Sequence, residues 1–146
     1  MGFSVSGSAA IVFVGLFFAF GTFFTASTNS MEDVTDANSD WQDQQLAQQN
    51  TDIAITDAVY DNVTDSLVVG VDNVGATTLS VNRTDLIIDN EYQTTTQSRD
   101  VDGDSTTDVW APGQRLTYNV SATSQPDRVK VTTETGVAAT EVVTLG

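Results

Sequence analysis

The first thirty residues follow a pattern that the rest of the chain does not repeat. From Gly2 to Ser30 there is no Asp, Glu, Lys or Arg, and apolar residues run almost continuously from Phe3 to Phe24. All seven Phe residues lie within that run. About 20 apolar residues in a helix cross a hydrocarbon layer of about 30 Å. The pattern predicts one transmembrane helix over residues 1–28.

Two other interpretations of this segment are weaker. A secretory signal peptide needs a positively charged start and a shorter apolar stretch, but no Lys or Arg precedes Arg83. A buried core helix would need a larger protein around it than 146 residues can form. A membrane helix remains the favoured interpretation.

A polar extension follows, over residues 29–51. Met31, Val34, Trp41 and Leu46 recur at roughly helical spacing, and neither Gly nor Pro occurs between residues 22 and 69. The helix is therefore expected to continue to about Asn50. The sequence leaves open whether this extension packs on partner helices or is a partly frayed stalk.

Three residues are candidates for contact with another helix. Gly15 and Ala19 are small residues four positions apart, where a second membrane helix could approach closely. Trp41 would be the main contact residue of the polar extension. Such contacts would make the protein a homo-oligomer or join it to other helices. The alternative is that small residues are simply common in membrane helices.

Beyond Thr51 the hydrophobic period changes from helical to two, over residues 52–146. Short strands alternate with turn signals such as Asp89-Asn90 and Ala111-Pro112-Gly113-Gln114. Seven or eight strands indicate a small antiparallel, Ig-like β-sandwich, so the fold class is α+β. Tyr92–Ser98 is predicted as an edge strand and Asp100–Asp108 as a polar loop. The expected core is Val, Ile and Leu with Tyr60, Tyr118 and Trp110.

Charge limits the partners. Twenty acidic and five basic residues give a net charge of −15, which repels phosphate backbones and argues against nucleic-acid binding. Lys130 is the only lysine. An acid-rich, lysine-poor surface is typical of proteins from halophilic organisms, because molar salt screens its self-repulsion.

The chain contains no Cys and no His. Disulfides, thiol chemistry, His/Cys metal sites and nucleophile–His pairs are therefore excluded. No carboxylate pair stands out from the acidic background, and no phosphate-binding Gly loop occurs. We expect a protein that is not an enzyme and has no cofactor, with calcium as the one candidate exception.

Three N-glycosylation sequons begin at Asn62, Asn82 and Asn119. Strand alternation places Asn82 and Asn119 on outward positions, and Asn62 lies in a turn. All three are predicted to be accessible, as a domain outside the cell requires. The alternative is three solvated Asn side chains.

Acidic residues at alternate positions resemble the start of a calcium loop: Asp100, Asp102 and Asp104, with Asp108 behind them. The bidentate Glu that ends a helical calcium loop is replaced by Ala111. The sequence favours a solvated acidic loop and keeps calcium as the alternative.

Taken together, the apolar start, the polar helical extension and the strand motifs NVGATTL, DLIIDNEY and WAPGQRL resemble the accessory F proteins of the haloarchaeal archaellum. These belong to the archaellin and type IV pilin-like group. The resemblance implies a stator with its helix in the cell membrane and its sandwich in the pseudoperiplasm, where it would hold the S-layer protein beside other archaellum components.

Two alternatives to a stator stay open. One is a polymerising subunit, a minor archaellin or pilin-like protein; its relatives carry a charged leader ending at a Gly. No Lys or Arg precedes Gly2 here, so an uncut membrane anchor is expected. The other is a membrane-anchored ligand-binding module. Orientation, with the C-terminal domain outside, depends on the sequons and on the resemblance, because the helix has no flanking cations.

Overall fold

The computed structural model describes the backbone of residues 2–146 and the side chains of residues 7–28 and 31–146. The expected start of the apolar run, Phe3, therefore lies outside the described side chains. The chain divides into two compact units, one ending at Asp43 and the other comprising Gln44–Gly146.

A single helix, α1 (Gly2–Asn50), occupies the first third of the chain. At 1.5 Å per residue it is about 74 Å long. It passes from the apolar segment into the polar one without a break, as predicted. Glycine in this helix is confined to its apolar half. The polar half ends at Asn50, and the β-branched Thr51 follows at the change to extended backbone.

The rest of the chain is β-structure with one 3-10 turn at Val81–Arg83. The strands are short, and their bounds are β1 (Ile53–Asp61), β2 (Ser66–Asn73), β3 (Leu79–Ser80), β4 (Asp85–Ile88), β5 (Glu91–Tyr92), β6 (Ser98–Val101), β7 (Val109–Trp110), β8 (Arg115–Ser121), β9 (Arg128–Thr132), β10 (Ala138–Val142) and β11 (Thr144–Leu145).

These strands form two main sheets that face each other across the core. The five-stranded sheet has the order β11-β1-β2-β8-β6, and the four-stranded sheet has the order β10-β9-β4-β5. Strands β3 and β7 form a small third pair. Neighbouring strands are antiparallel except β11, which runs parallel to β1. The predicted α+β fold with a β-sandwich is confirmed.

The core consists of the inward positions of both sheets. Trp110, Leu67, Leu116 and Val131 are completely buried. Tyr60 and Tyr118 are also buried, as predicted. The core is built without Phe, so β-branched side chains, which suit the pleated surface, fill most of it.

Turn chemistry agrees with the sequence at the two predicted sites. Asp89 and Asn90 both have positive φ, 49° and 70°, as a two-residue hairpin turn between β4 and β5 requires. Gly113 has φ 82° after Pro112, and Gln114 N donates to Ala111 O at 3.1 Å. This is the geometry of a type II turn.

The predicted edge strand Tyr92–Ser98 is wrong. Tyr92 ends β5 in the four-stranded sheet, whereas Ser98 begins β6 in the five-stranded sheet. The Thr/Gln-rich residues between them cross from one sheet to the other, and Asp100, placed in a loop by the sequence, lies in β6. The apolar alternation that would have fixed a strand is absent from this stretch.

Candidate functional site

The apolar half of α1 is an unpartnered surface. Over residues 7–28 every side chain is exposed in the isolated chain, including Phe13, Phe17, Phe20 and Phe24. Burying one such side chain contributes about 1.5–3 kcal/mol. Several together are sufficient to hold the segment in an apolar phase, and by length and composition this helix could cross a membrane.

Hydroxyl groups near the end of this half are satisfied within the helix. Thr22 Oγ1 donates to Ala19 O at 3.0 Å, Thr25 Oγ1 to Gly21 O at 3.0 Å and Thr28 Oγ1 to Phe24 O at 2.9 Å. A polar group in hydrocarbon must find its partner inside the protein. These threonines are thus compatible with a lipid surrounding.

The polar half of α1 has two distinct faces. At 100° per residue, the five acids fall within an arc of about 100°: Glu32, Asp33, Asp36, Asp40 and Asp43. Met31, Val34 and Trp41 lie on the opposite side, whereas Leu46 lies about 40° from Glu32, at the border of the acidic face. All four apolar side chains are exposed. No Lys or Arg occurs within α1, and none of the ion pairs between described residues involves these acids.

The predicted helix-contact residues are open on the isolated chain. A Cβ built at Gly15 would meet no described atom within 4 Å. Ala19 is exposed, and Trp41 is 58% exposed. Each could accept a second helix, and their role in helix contacts stays a prediction.

The end of α1 is part of the sandwich unit. Ala76 N and Thr77 N donate to Asn50 O at 2.8 and 3.2 Å, and Thr77 Oγ1 donates to Ala47 O at 3.3 Å. A helix leaves its last carbonyls without partners unless something caps them. Here the loop between β2 and β3 supplies the cap, so the final helical turn is fixed to the sandwich.

Gly75 permits this close approach. A Cβ at this position would lie 2.4 Å from Asp52 N and 2.6 Å from Asn50 O. The side chain of Asn73, which is fully buried, fixes the loop between β2 and β3. Its Nδ2 donates to Thr77 O at 2.9 Å and to Trp110 O at 3.1 Å. We call this cap, residues 73–77 with 47–52, the joint.

The three sequon asparagines differ in exposure. Asn62 is exposed in the turn after β1, where Asp61 Oδ1 accepts from Val63 N at 2.7 Å and this hydrogen bond lowers the pKa of Asp61. Asn82 is exposed in the 3-10 turn, and its Oδ1 accepts from Arg99.

Asn119 is half-buried on β8, between Val68 of β2 and Ser98 of β6. Its Oδ1 is buried and has no hydrogen-bond partner among the residues that the structure describes. Glycosylation at all three sequons stays a prediction, with Asn62 and Asn82 more exposed than Asn119.

The four acids of the predicted calcium loop accept separate hydrogen bonds. Asp100 Oδ1 accepts from Gly103 N at 2.8 Å, and Asp102 Oδ1 from Arg115 N at 3.1 Å. Asp104 Oδ1 accepts from Thr106 Oγ1 and N at 2.7 and 2.8 Å. The Thr106 hydrogen bonds hold the pKa of Asp104 below its usual range.

Asp108 accepts instead from Asn82 N at 2.7 Å and from the Ser80 hydroxyl. Its partners are therefore different from those of the other three acids. Within the described part of the chain, no group of three or more acids is arranged to hold a metal ion. Calcium binding stays a prediction that would need rearrangement of this loop.

Solved structures that are similar to part of this chain match it at low identity and low TM-score. A CARDB domain from Pyrococcus furiosus is 15% identical, covers 66% of this chain and 89% of its own, and has a TM-score of 0.35. The titin domain I81 is 9% identical, covers 64% of this chain and 96% of its own, and also has a TM-score of 0.35.

A putative phosphatase from Bacteroides thetaiotaomicron is 12% identical over 68% of this chain, with a TM-score of 0.38. The match spans only 19% of that larger protein. At TM-scores below 0.5 these likenesses lead to no conclusion about function.

Comparison of the sequence with family models shows which family the chain belongs to. Comparison with curated proteins finds no match. The model of the archaeal-type flagellins, in contrast, matches residues 2–143, which is almost the whole chain and includes both α1 and the sandwich. This is a structural, non-enzymatic family. The chain therefore belongs to the archaeal-type flagellin family and is a component of the archaellum.

Proposed function

We propose that this archaellum component is a stator of the accessory F type: the apolar half of α1 anchors it in the cell membrane, and the sandwich lies outside and holds the S-layer. The observation that carries the proposal is the change along α1 from an uncharged half to a half with five acids and no base. The family match and the exposed apolar segment support a membrane anchor.

The acidic half argues against a filament core. If many parallel copies of residues 2–50 packed together, each would bring the acidic face of Glu32–Asp43 into a crowded interior. Desolvating a carboxylate without a cation is strongly unfavourable. A single helix that leaves lipid at about Thr28 and continues into salt solution keeps these acids solvated.

The joint suits a tether that bears force. Because the last helical turn is hydrogen-bonded to the β2–β3 loop, a pull on the sandwich is transmitted to helical backbone rather than to a flexible linker. Membrane insertion of a full helix is effectively irreversible. The membrane anchor and the joint of such a tether would therefore both resist a pulling force.

The alternative is a polymerising subunit, a minor archaellin or pilin-like protein. The matched family is compatible with it, and so is the exposed apolar side of Met31, Val34 and Trp41, which could pack on neighbouring helices. In that arrangement the five acids would have to line the outside of the helix layer.

Fractionation of cells separates these functions. Filaments are sheared from cells in their native salt, and this chain is quantified in the filament and membrane fractions, with the major filament subunit as the control. The stator proposal expects the chain to remain with the membranes until detergent is added. Its recovery in sheared filaments, in constant ratio to the major subunit, would overturn the proposal in favour of polymerisation.

A further inference from the structure

The two outer faces of the sandwich differ in the state of their cations. On the five-stranded sheet, Arg115 is held between two acids: its Nε lies 2.7 Å from Asp72 Oδ1 and its Nη1 2.8 Å from Asp57 Oδ2. On the four-stranded sheet, Arg128 and Lys130 occupy successive outward positions of β9. These two are exposed.

Arg128 and Lys130 are not neutralised by a carboxylate. The ion pairs among the described residues involve Arg83 and Arg115 only. Arg128 Nη2 donates to Asn90 Oδ1 at 2.7 Å, and a neutral carboxamide leaves the positive charge in place. Arg99 also bonds to a carboxamide, that of Asn82, but Arg128 and Lys130 stand out because they are two neighbouring cations on one strand of a chain whose net charge is −15.

The acids nearest to them along the register are Asp89, which lines the same concavity, Asp85 and Glu141. Asp89 Oδ1 accepts from Asp127 N and Arg128 N, both at 3.0 Å. Asp85 is hydrogen-bonded to the Tyr92 hydroxyl, which raises the pKa of Tyr92. Glu141 pairs with the buried Val129 and so lies on the opposite side of β10 from Thr140.

Apolar side chains complete this surface. The register places Thr140, Lys130, Ile87 and Tyr92 in one row across the sheet. Tyr92 is 59% exposed, and Val142, opposite Arg128, is 66% exposed. A concavity of about 220 Å³ lies in the middle of the row, lined by Ile87, Asp89, Asn90, Arg128, Lys130 and Thr140. We call this surface, on the outer side of β10-β9-β4-β5, the cationic face.

We propose that the cationic face is the surface through which this chain docks a carboxylate-rich protein surface, with the concavity receiving an acidic side chain between Arg128 and Lys130. The proposal rests on the proposed stator function, which makes the S-layer protein the occupant. Proteins that share the molar salt predicted by this composition carry acid-rich surfaces, so two of them repel unless one presents cations at the contact.

High salt makes direct contact necessary. At about 1 M salt the Debye length is about 3 Å, so distant charges contribute almost nothing to binding. Only cations that touch the partner's carboxylates still contribute, and exposed apolar neighbours such as Tyr92 and Val142 add burial that salt does not screen. The cationic face offers both kinds of contact.

The test compares two charge reversals of equal size on the full-length chain in detergent and molar salt. Lys130→Glu alters the cationic face, whereas Arg99→Glu alters an exposed cation of β6 on the other sheet. Binding to purified S-layer protein is measured by surface plasmon resonance, with Lys130→Gln as a milder variant. Unfolding midpoints of all variants are measured in parallel.

We expect Lys130→Glu to weaken binding at least tenfold, Lys130→Gln to weaken it about threefold, and Arg99→Glu to change it less than twofold, with unfolding midpoints unchanged. Binding that is equally strong in Lys130→Glu and Arg99→Glu would overturn the docking face but leave the stator function standing. No binding by the unaltered chain would overturn the stator function, and the docking proposal with it.

Discussion

The apolar half of α1 and the core of the sandwich are both hydrophobic, but they differ in composition and in surroundings. The helix carries all the Phe of the protein and exposes every described side chain between residues 7 and 28. The sandwich buries Val, Ile and Leu around Trp110 and contains no Phe. The comparison shows that the chain separates its apolar residues by environment. The bulky Phe side chains lie on an exposed helix surface, and β-branched side chains fill a packed protein interior.

The same comparison holds for polar groups. In the helix, threonine hydroxyls donate to carbonyls four residues or fewer away. A polar group in hydrocarbon needs such a hydrogen-bond partner within the protein, because no water is present there. In the sandwich, polar side chains also bond to distant parts of the chain, as the buried Asn73 does to Trp110 O. The four predictions that follow test this division, in order of expected effect.

The two tryptophans provide the largest contrast. Trp110 is buried and its Nε1 donates to Gln114 O at 2.9 Å, so Trp110→Ala is expected to lower the free energy of unfolding by about 3–5 kcal/mol. Trp41→Ala, on the exposed helix, should change it by less than about 0.5 kcal/mol. Denaturant unfolding of the full chain in detergent measures both. Equal losses would mean that Trp41 is packed in the native protein.

A charge in the apolar half should remove the chain from the membrane. Leu16→Asp places a carboxylate in the middle of the exposed apolar segment, which opposes insertion by about 2.5–3.5 kcal/mol. Val34→Asp introduces the same carboxylate in the polar half and should not change the distribution of the chain between the membrane and soluble fractions. Membrane and soluble fractions are compared by immunoblot. Full membrane retention of Leu16→Asp would contradict a lipid location for this segment.

The joint is tested by two glycines. In Gly75→Ala the added Cβ would fall 2.4 Å from Asp52 N, and relief of that clash must move backbone, at a cost of about 1–3 kcal/mol. Gly21→Ala adds a methyl group where no described atom lies within 4 Å and should leave the sandwich unchanged. Hydrogen exchange of Ala76 and Thr77 amides reports the joint directly. Unchanged protection in Gly75→Ala would show that the cap is not formed.

The smallest effect is electrostatic. The hydrogen bond from Arg115 lowers the pKa of Asp72 in the folded protein. A folded pKa below the unfolded value means that the stabilisation is complete above about pH 4 and is lost as pH falls through the folded pKa. Asp72→Asn should therefore flatten the acid side of the stability profile. Two identical acid profiles for Asp72→Asn and the unaltered chain would exclude this contribution.

Sequence patterns anticipated the regular parts of the structure and failed where distant segments meet. Continuous helix through Asn50 followed from the lack of Gly and Pro, and β2 and β8 from strict alternation around Val69 and Tyr118. The crossover between Tyr92 and Ser98 was missed because sheet membership depends on partners far along the chain. Nothing in the sequence around Gly75 indicates that it lies against the end of a helix.

The candidate sites follow the same rule. The apolar segment could be identified from composition alone. The cationic face was overlooked, although Arg128 and Lys130 at alternate positions of one strand were a visible signal in an acidic chain. What the sequence could not supply is the register that sets them beside Tyr92 and Val142, because pairing across strands is decided by the whole sheet.

The apolar half of α1 is expected to lie in lipid and the sandwich outside the cell, and the absence of Cys from the chain allows a direct measurement. Single cysteines are introduced as Val14→Cys in the apolar half and Ser124→Cys at an exposed position of the sandwich, and intact cells are treated with a membrane-impermeant thiol reagent. The account predicts labelling of Ser124→Cys in intact cells and labelling of Val14→Cys only after detergent. Protection of Ser124→Cys until lysis, or labelling of Val14→Cys in intact cells, would contradict it.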